Sequence, residues 1–136
     1  MDIFENLVMW HLTTRPDVFV RHQHVIRSGS ANEWSCPDFV ALDFGQRRAL
    51  VVEVSTEANS RSLVDKVRNR EAHWINPLKA QLRAARVIDE ANWGFEVHVY
   101  VRKDREQEFS ALTDSPGTPL HVRVFEDLGA PWTWET

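Results

Sequence analysis

The sequence predicts an α/β fold: a central mixed β-sheet flanked by helices, in the order α-β-β-β-α-β-α-β. Three observations predict it. Two apolar runs, residues 36–44 and 48–55, are joined by Gly45-Gln46 and read as an antiparallel strand pair. A long segment of helical period, residues 60–91, follows that pair. Beyond it, residues 95–101 alternate cleanly, with Phe95, Val97, Val99 and Val101 on one face of a strand.

Taken in order, residues 2–13 read as a helix with Ile3, Leu7, Val8, Trp10 and His11 marking one side and Pro16 ending it. Residues 18–26 are rich in valine and read as a strand, and residues 28–32, Ser-Gly-Ser-Ala-Asn, as a loop. The hairpin comes next. In the long helical segment the apolar positions are Leu63, Val67, Trp74, Leu78, Leu82, Ala85 and Ile88, which suit a period of 3.6. Asn76-Pro77 interrupts it, so a kink or a pair of helices with Asn76 as cap is expected. Residues 104–112 read as a short helix and residues 120–126 as the last strand. The tail carries Pro131, Trp132 and Trp134, with the tryptophans expected to cover the chain's own core.

A chain of 136 residues supports one domain with one core. No internal repeat, low-complexity tract or linker divides residues 1–136. Cys36 is the only cysteine, which excludes an internal disulfide and a zinc site built from several thiolates. No apolar run reaches membrane-spanning length, and the start Met1-Asp2-Ile3-Phe4-Glu5 lacks the basic region of a secretory signal, so a cytoplasmic protein without a membrane partner is expected. The net charge of −4 argues against a strong nonspecific polyanion binder. Arg61, Lys66, Arg68, Arg70, Lys79, Arg83 and Arg86 nevertheless fall in one segment and form either a local basic surface or a mixed solvated helix face.

Two carboxylates stand out against this background. Glu53 follows the apolar run Ala49-Leu50-Val51-Val52 and precedes Val54, while Asp38 opens the run Phe39-Val40-Ala41-Leu42 after Pro37. An ionised carboxylate among apolar residues is costly unless a cation or several donors meet it. On adjacent strands the two would make a site for a hard divalent cation with oxygen ligands, Mg²⁺ or Mn²⁺. The plainer alternatives are that Asp38 terminates a turn and that Glu53 pairs with Arg48 or Arg21. Asp43 reads as a hairpin residue and Glu57 as a neighbour able to join the site. His22 and His24 share a strand face if the strand runs through them. Such a pair suits zinc or copper, but no third ligand is evident.

Pro37-Asp38 at the opening of one strand and Glu53 near the end of the next, set between two helices, resemble the PD-(D/E)xK nuclease superfamily, the restriction endonuclease-like group. The resemblance spans residues 2–126. It implies a restriction endonuclease-like core and a metal-dependent endonuclease acting on DNA, with RNA as a further substrate class. It implies Asp38 and Glu53 as metal ligands and catalytic residues, and Glu5, on the first helix, as an additional metal-binding acid. The family's lysine belongs two residues after the second acid, where this chain has Ser55. A serine can hold a water but supplies no charge.

Lys66, Arg70 and His73 share one helix flank by their spacing of four and three, and Lys66 is the favoured replacement for the missing cation. Arg61, Arg68 and Arg70 are the candidates for steering backbone phosphates. Two readings therefore stand: a nuclease with a relocated lysine, and a catalytically inactive nuclease-like module for DNA binding or protein assembly. Cutting both strands of a duplex would call for a homodimer or a partner protein.

Overall fold

The computed structural model describes residues 1–27, 34–114 and 116–128. The loop read at residues 28–32 and the tail with Pro131, Trp132 and Trp134 lie outside them.

Helix α1 spans Ile3–Leu12, and its start is set by Asp2. The Asp2 carboxylate accepts the Glu5 amide at 2.8 Å, and the Glu5 carboxylate accepts the Asp2 amide at 3.3 Å, a reciprocal capping box. The helix stops four residues before Pro16, because the Thr13 and Thr14 hydroxyls take the Met9 and His11 carbonyls. Its buried side is Val8 with Phe4, Met9 and Leu12. Ile3 and Trp10 are exposed, contrary to the sequence expectation.

Strand β1 is Val18–His22, shorter than the run read from sequence. Gln23 takes a left-handed φ of 53° and gives its amide to the Asp38 carbonyl at 2.9 Å, which turns the chain out of the sheet. Two short strands follow, β2 (Ile26–Arg27) and β3 (Trp34–Ser35), paired with each other in a separate sheet. The sequence pattern did not indicate this extra pair. The expected hairpin is present as β4 (Phe39–Asp43) and β5 (Arg48–Val54), antiparallel. Asp43 closes its turn as expected: it accepts the Gln46 amide at 3.0 Å and pairs with Arg15 at 2.5 Å and Arg48 at 3.3 Å.

The long helical segment is helix α2 (Arg61–Arg68), a π-helical turn (Glu71–Ile75) and helix α3 (Asn76–Ala84). Asn76 does not cap; it stays helical and bonds the Glu71 carbonyl five residues back. Pro77 has no N–H for the His73 carbonyl, and the Ser35 hydroxyl donates to that carbonyl instead, at 3.3 Å. The widened turn is how the run passes the proline without a break. It ends at Ala84 rather than near residue 91. Arg86 turns left-handed (φ 54°), and the Arg86 and Val87 amides return to the Arg83 and Leu82 carbonyls. Strand β6 (Gly94–Val101), helix α4 (Glu106–Ser110) and strand β7 (Leu120–Val124) complete the chain, with a 3₁₀ turn at Phe125–Asp127.

The main sheet has five strands in the order β1-β4-β5-β6-β7. The first three run antiparallel to their neighbours, and β5, β6 and β7 run parallel. One face packs Val40, Val51, Val97 and Val99 under Val67, Trp74 and Leu78 of the helical segment. The other packs Phe39, Ala41, Leu50, Val52 and Tyr100 under Val8 of α1. The molecule is thus α/β, a five-stranded mixed sheet with helices on its faces. Among the described residues, no helix is long and apolar enough to cross a membrane.

Candidate metal and active site

The hairpin brings Asp38 and Glu53 together. Its register pairs Phe39 with Val52, so one further step sets Asp38 opposite Glu53, on the face covered by the α2–α3 segment. Asp38 accepts the Val54 amide at 2.7 Å, which locks its carboxylate against the end of β5. The Asp38 and Glu53 side chains are hydrogen-bonded to each other. Burial, and then the negative charge of Asp38 and the bond to it, push the Glu53 carboxyl up to about 8, while Lys66 acts in the opposite sense. Burial also raises Asp38, offset in part by the Val54 amide and the bond from Glu53. At neutral pH Glu53 therefore keeps a proton and donates it to Asp38. Neither plain alternative holds for Glu53: Arg48 is engaged with Asp43 and Glu96, and Arg21, at an odd position of β1, belongs to an exposed site on the edge strand.

Helix α1 adds the third acid. The Glu5 carboxylate lies 3.5 Å from the His22 ring nitrogen and its charge raises Asp38, so it stands at the same end of the sheet as well as closing its own helix cap. His22 is a member of this group that the sequence reading missed. It packs on Phe39 at 5.2 Å between ring centres, its Nε2 is buried without a hydrogen bond among the described residues, and its charge acts on Asp38. The turn at Gln23 separates it from His24, which bonds the Gln81 side chain at 2.7 Å. The pair of histidines on one strand face is therefore a misreading. The signal that would have found His22 is its register opposite Phe39, next to Asp38.

Ser55 continues the strand: its amide bonds the Tyr100 carbonyl at 2.9 Å and its hydroxyl accepts from the Glu57 amide at 3.4 Å. Glu57 itself is exposed. Lys66 is exposed on α2 and lies within electrostatic reach of both Glu53 and His73, lowering the pKa of each. Cys36, exposed rather than in the core, is close enough to Asp38 and Glu53 for both to raise its thiol, behind the larger effect of burial.

Of the three arginines expected at the surface, Arg61 and Arg68 are exposed, with Arg68 paired to Asp65 at 3.4 Å. Arg70 is a correction. It is 3 % exposed and donates to the Thr118 carbonyl at 2.7 Å and the Val67 carbonyl at 3.0 Å. The π-helical turn that begins beside it breaks the 3.6 spacing on which its place beside Lys66 and His73 was read. Arg70 ties the helical segment to the loop before β7, where Glu71 also binds the Thr118 amide and hydroxyl.

The donor set is oxygen-rich: two carboxyl groups in contact, a third nearby and a lysine at the rim. Two facing carboxyls that share a proton at neutral pH are a fit for a hard dication, which replaces the proton and relieves the repulsion. Asp38 and Glu53 would hold it; Glu5 acts on Asp38 through its charge and does not close a three-ligand group with the pair. Compared with known families, proteins and solved structures, the chain matches no family model, no curated protein and no solved structure.

Proposed function

We propose that residues 1–136 form a single nuclease-like domain with a restriction endonuclease-like core, acting as a Mg²⁺- or Mn²⁺-dependent endonuclease on phosphodiester bonds, in DNA first and RNA second. The observation that carries this reading is the Asp38–Glu53 pair: two half-buried carboxyls in contact at the end of one hairpin, with Glu5 beside them. Holding two acids together costs folding stability, and among the described residues neither is paired with an arginine, which is the arrangement of a site built for an external cation. A hard dication bound there would supply polarisation of a phosphoryl oxygen and a lowered pKa for an attacking water.

The chain's own groups do the remainder. Asp38 is fixed by the Val54 amide, and His22 positions Glu5. Lys66, in reach of Glu53, would orient the attacking water or stabilise the negative charge that develops on the phosphoryl group and the departing sugar oxygen, the work of the motif lysine in the family the sequence resembles. Arg61 and Arg68, exposed on the same helix, steer the backbone. One such centre cuts one strand, so duplex cleavage would use two copies of the chain or a partner protein.

Ser55 favours a second reading, an inactive nuclease-like module for DNA binding or protein assembly, because it leaves the usual lysine position uncharged. Nicking of supercoiled plasmid separates the two. Activity with Mn²⁺ or Mg²⁺ that disappears in Asp38→Asn and Glu53→Gln is the expected result. A protein that binds the ion but leaves plasmid, linear and branched DNA and RNA intact supports the inactive module.

A further inference from the structure

A second cluster lies on the opposite face of the sheet, the one covered by α1. Glu96 and His98 stand two residues apart on β6, and so point the same way. His121 of β7 is the register partner of His98. The two imidazole rings stack with centres 4.6 Å apart and planes 27° apart. Their Nε2 atoms converge on one oxygen, Glu96 Oε1, at 3.0 Å from His98 and 3.1 Å from His121. All three potential ligand atoms lie within 4.8 Å of one another, and this is the one such group of three or more among the described residues.

We propose that Glu96, His98 and His121 form a second metal site, distinct from Asp38 and Glu53, that takes a divalent transition ion of the zinc class with three protein ligands and one open position. Two imidazoles and a carboxylate are the donors that borderline ions prefer, whereas Mg²⁺ and Mn²⁺ favour the all-oxygen set on the other face. Ligand atoms of a tetrahedral zinc lie roughly 3.3 Å apart, so the two nitrogen–oxygen separations already have the required length. The two nitrogens lie within 4.8 Å of each other, and His121, 43 % exposed, has room to turn its ring.

The surroundings of the cluster are those of a supported ligand set. Arg48 donates from Nη1 to both Glu96 oxygens at 3.1 and 3.4 Å, which fixes the direction of the carboxylate. The Arg48 charge is in turn shared with Asp43, 3.3 Å from its Nε. His98 is held by burial at the sheet surface. On its other side His98 lines a cavity of about 180 Å³ together with His11, Arg15, Arg48, Tyr100 and Arg123. An ion there would also pin β7, the edge strand, to β6.

The test is calorimetric titration of the untagged full chain with Zn²⁺ at neutral pH, in excess Mg²⁺ so that the oxygen site is occupied. One equivalent of Zn²⁺ is expected to bind wild type and to raise its melting temperature, since binding to the folded state stabilises it. Affinity should fall at least tenfold in His121→Ala and in Glu96→Gln. Co²⁺ gives a second readout, a visible absorption of a nitrogen–oxygen site that wild type develops and His121→Ala lacks. His121→Ala removes a half-exposed ring from an edge strand, so its melting curve without metal should stay close to wild type. Wild type that takes up no Zn²⁺, or a His121→Ala protein that binds with wild-type affinity, overturns the assignment.

Discussion

Glu53 and Glu96 stand on adjacent parallel strands and face opposite sides of one sheet, with Glu53 the more deeply buried. Their acidities diverge. Burial and Asp38 push Glu53 up to about 8, whereas the hydrogen bond from His98, with Arg48 and His121 nearby, holds Glu96 down at about 2 against the opposing effect of burial. Burial leads at Glu53, whereas at Glu96 the hydrogen bond from His98 and the nearby charges outweigh it and reverse the sign. Glu96 is answered by cations the chain supplies itself. Glu53 is answered mainly by a second carboxyl, with only exposed Lys66 to oppose it, so its charge has to be balanced from outside. The same contrast sorts the donor sets: oxygen only on one face, two nitrogens and an oxygen on the other.

The largest expected effect breaks the oxygen side. Asp38→Asn and Glu53→Gln should each lower metal-dependent cleavage on the order of a thousandfold or more, as loss of Lewis-acid chemistry would. They should also abolish the Mn²⁺-induced rise in melting temperature, which differential scanning fluorimetry would record. Without metal and above about pH 8, where both wild-type carboxyls are ionised, both variants should melt at or above the wild-type temperature, because the carboxyl repulsion is gone. A metal-induced shift unchanged in both variants would move the site elsewhere.

Next in size is the relocated cation. Lys66→Ala should reduce cleavage on the order of a hundredfold and leave Mn²⁺ affinity intact, since an ammonium does not ligate a hard cation. Adding Ser55→Lys to that variant should restore part of the rate. Full activity in Lys66→Ala would reject the relocation while leaving the carboxylate site standing.

The pH dependence of stability sharpens the comparison directly. Between its ordinary value of 4.5 and about 8, Glu53 is protonated in the folded chain and ionised in the unfolded one. The folded state then binds more protons, so its stability falls as pH rises through that window. Glu53→Gln should flatten this limb of a urea-denaturation series without metal. Glu96 behaves in the opposite sense. It contributes stability above its ordinary value of 4.5, and that contribution is lost as pH falls toward about 2. Glu96→Gln should therefore flatten the acid limb and leave the neutral one. A Glu53→Gln protein with the wild-type slope between about pH 5 and 8 would contradict the retained proton.

The smallest effects concern the arginines. Arg61→Ala and Arg68→Ala should each reduce the salt dependence of DNA binding by about one unit of slope, uniformly across sequences. Arg70→Ala should leave that slope unchanged and lower the melting temperature, because it removes donors from the Thr118 and Val67 carbonyls.

What could be read from the sequence follows from how local each feature is. The hairpin of β4 and β5 needs only two apolar runs and a turn, and its short loop fixes the register that sets Asp38 against Glu53. The first helix was legible because its apolar spacing and Pro16 beyond it are local signals. Three other features depend on distant pairing or on one backbone angle. Gln23 leaves the strand at a positive φ, and with it the supposed His22–His24 face dissolved. Arg70 was placed by a 3.6 period that the π-helical turn before Pro77 interrupts. Glu96, His98 and His121 meet only through the parallel pairing of β6 with β7, across the α4 crossover, and no local pattern announces a parallel register.

The most direct test of the oxygen site is a Mn²⁺ titration of wild type near pH 7, repeated in two buffers of different ionisation enthalpy. If Asp38 and Glu53 hold the ion, one equivalent should bind, the apparent enthalpy should change between buffers as the proton kept by Glu53 is released, and both signals should vanish in Glu53→Gln. Binding with no proton release, or binding that survives in Glu53→Gln, would contradict the claim that this carboxyl pair is a metal site.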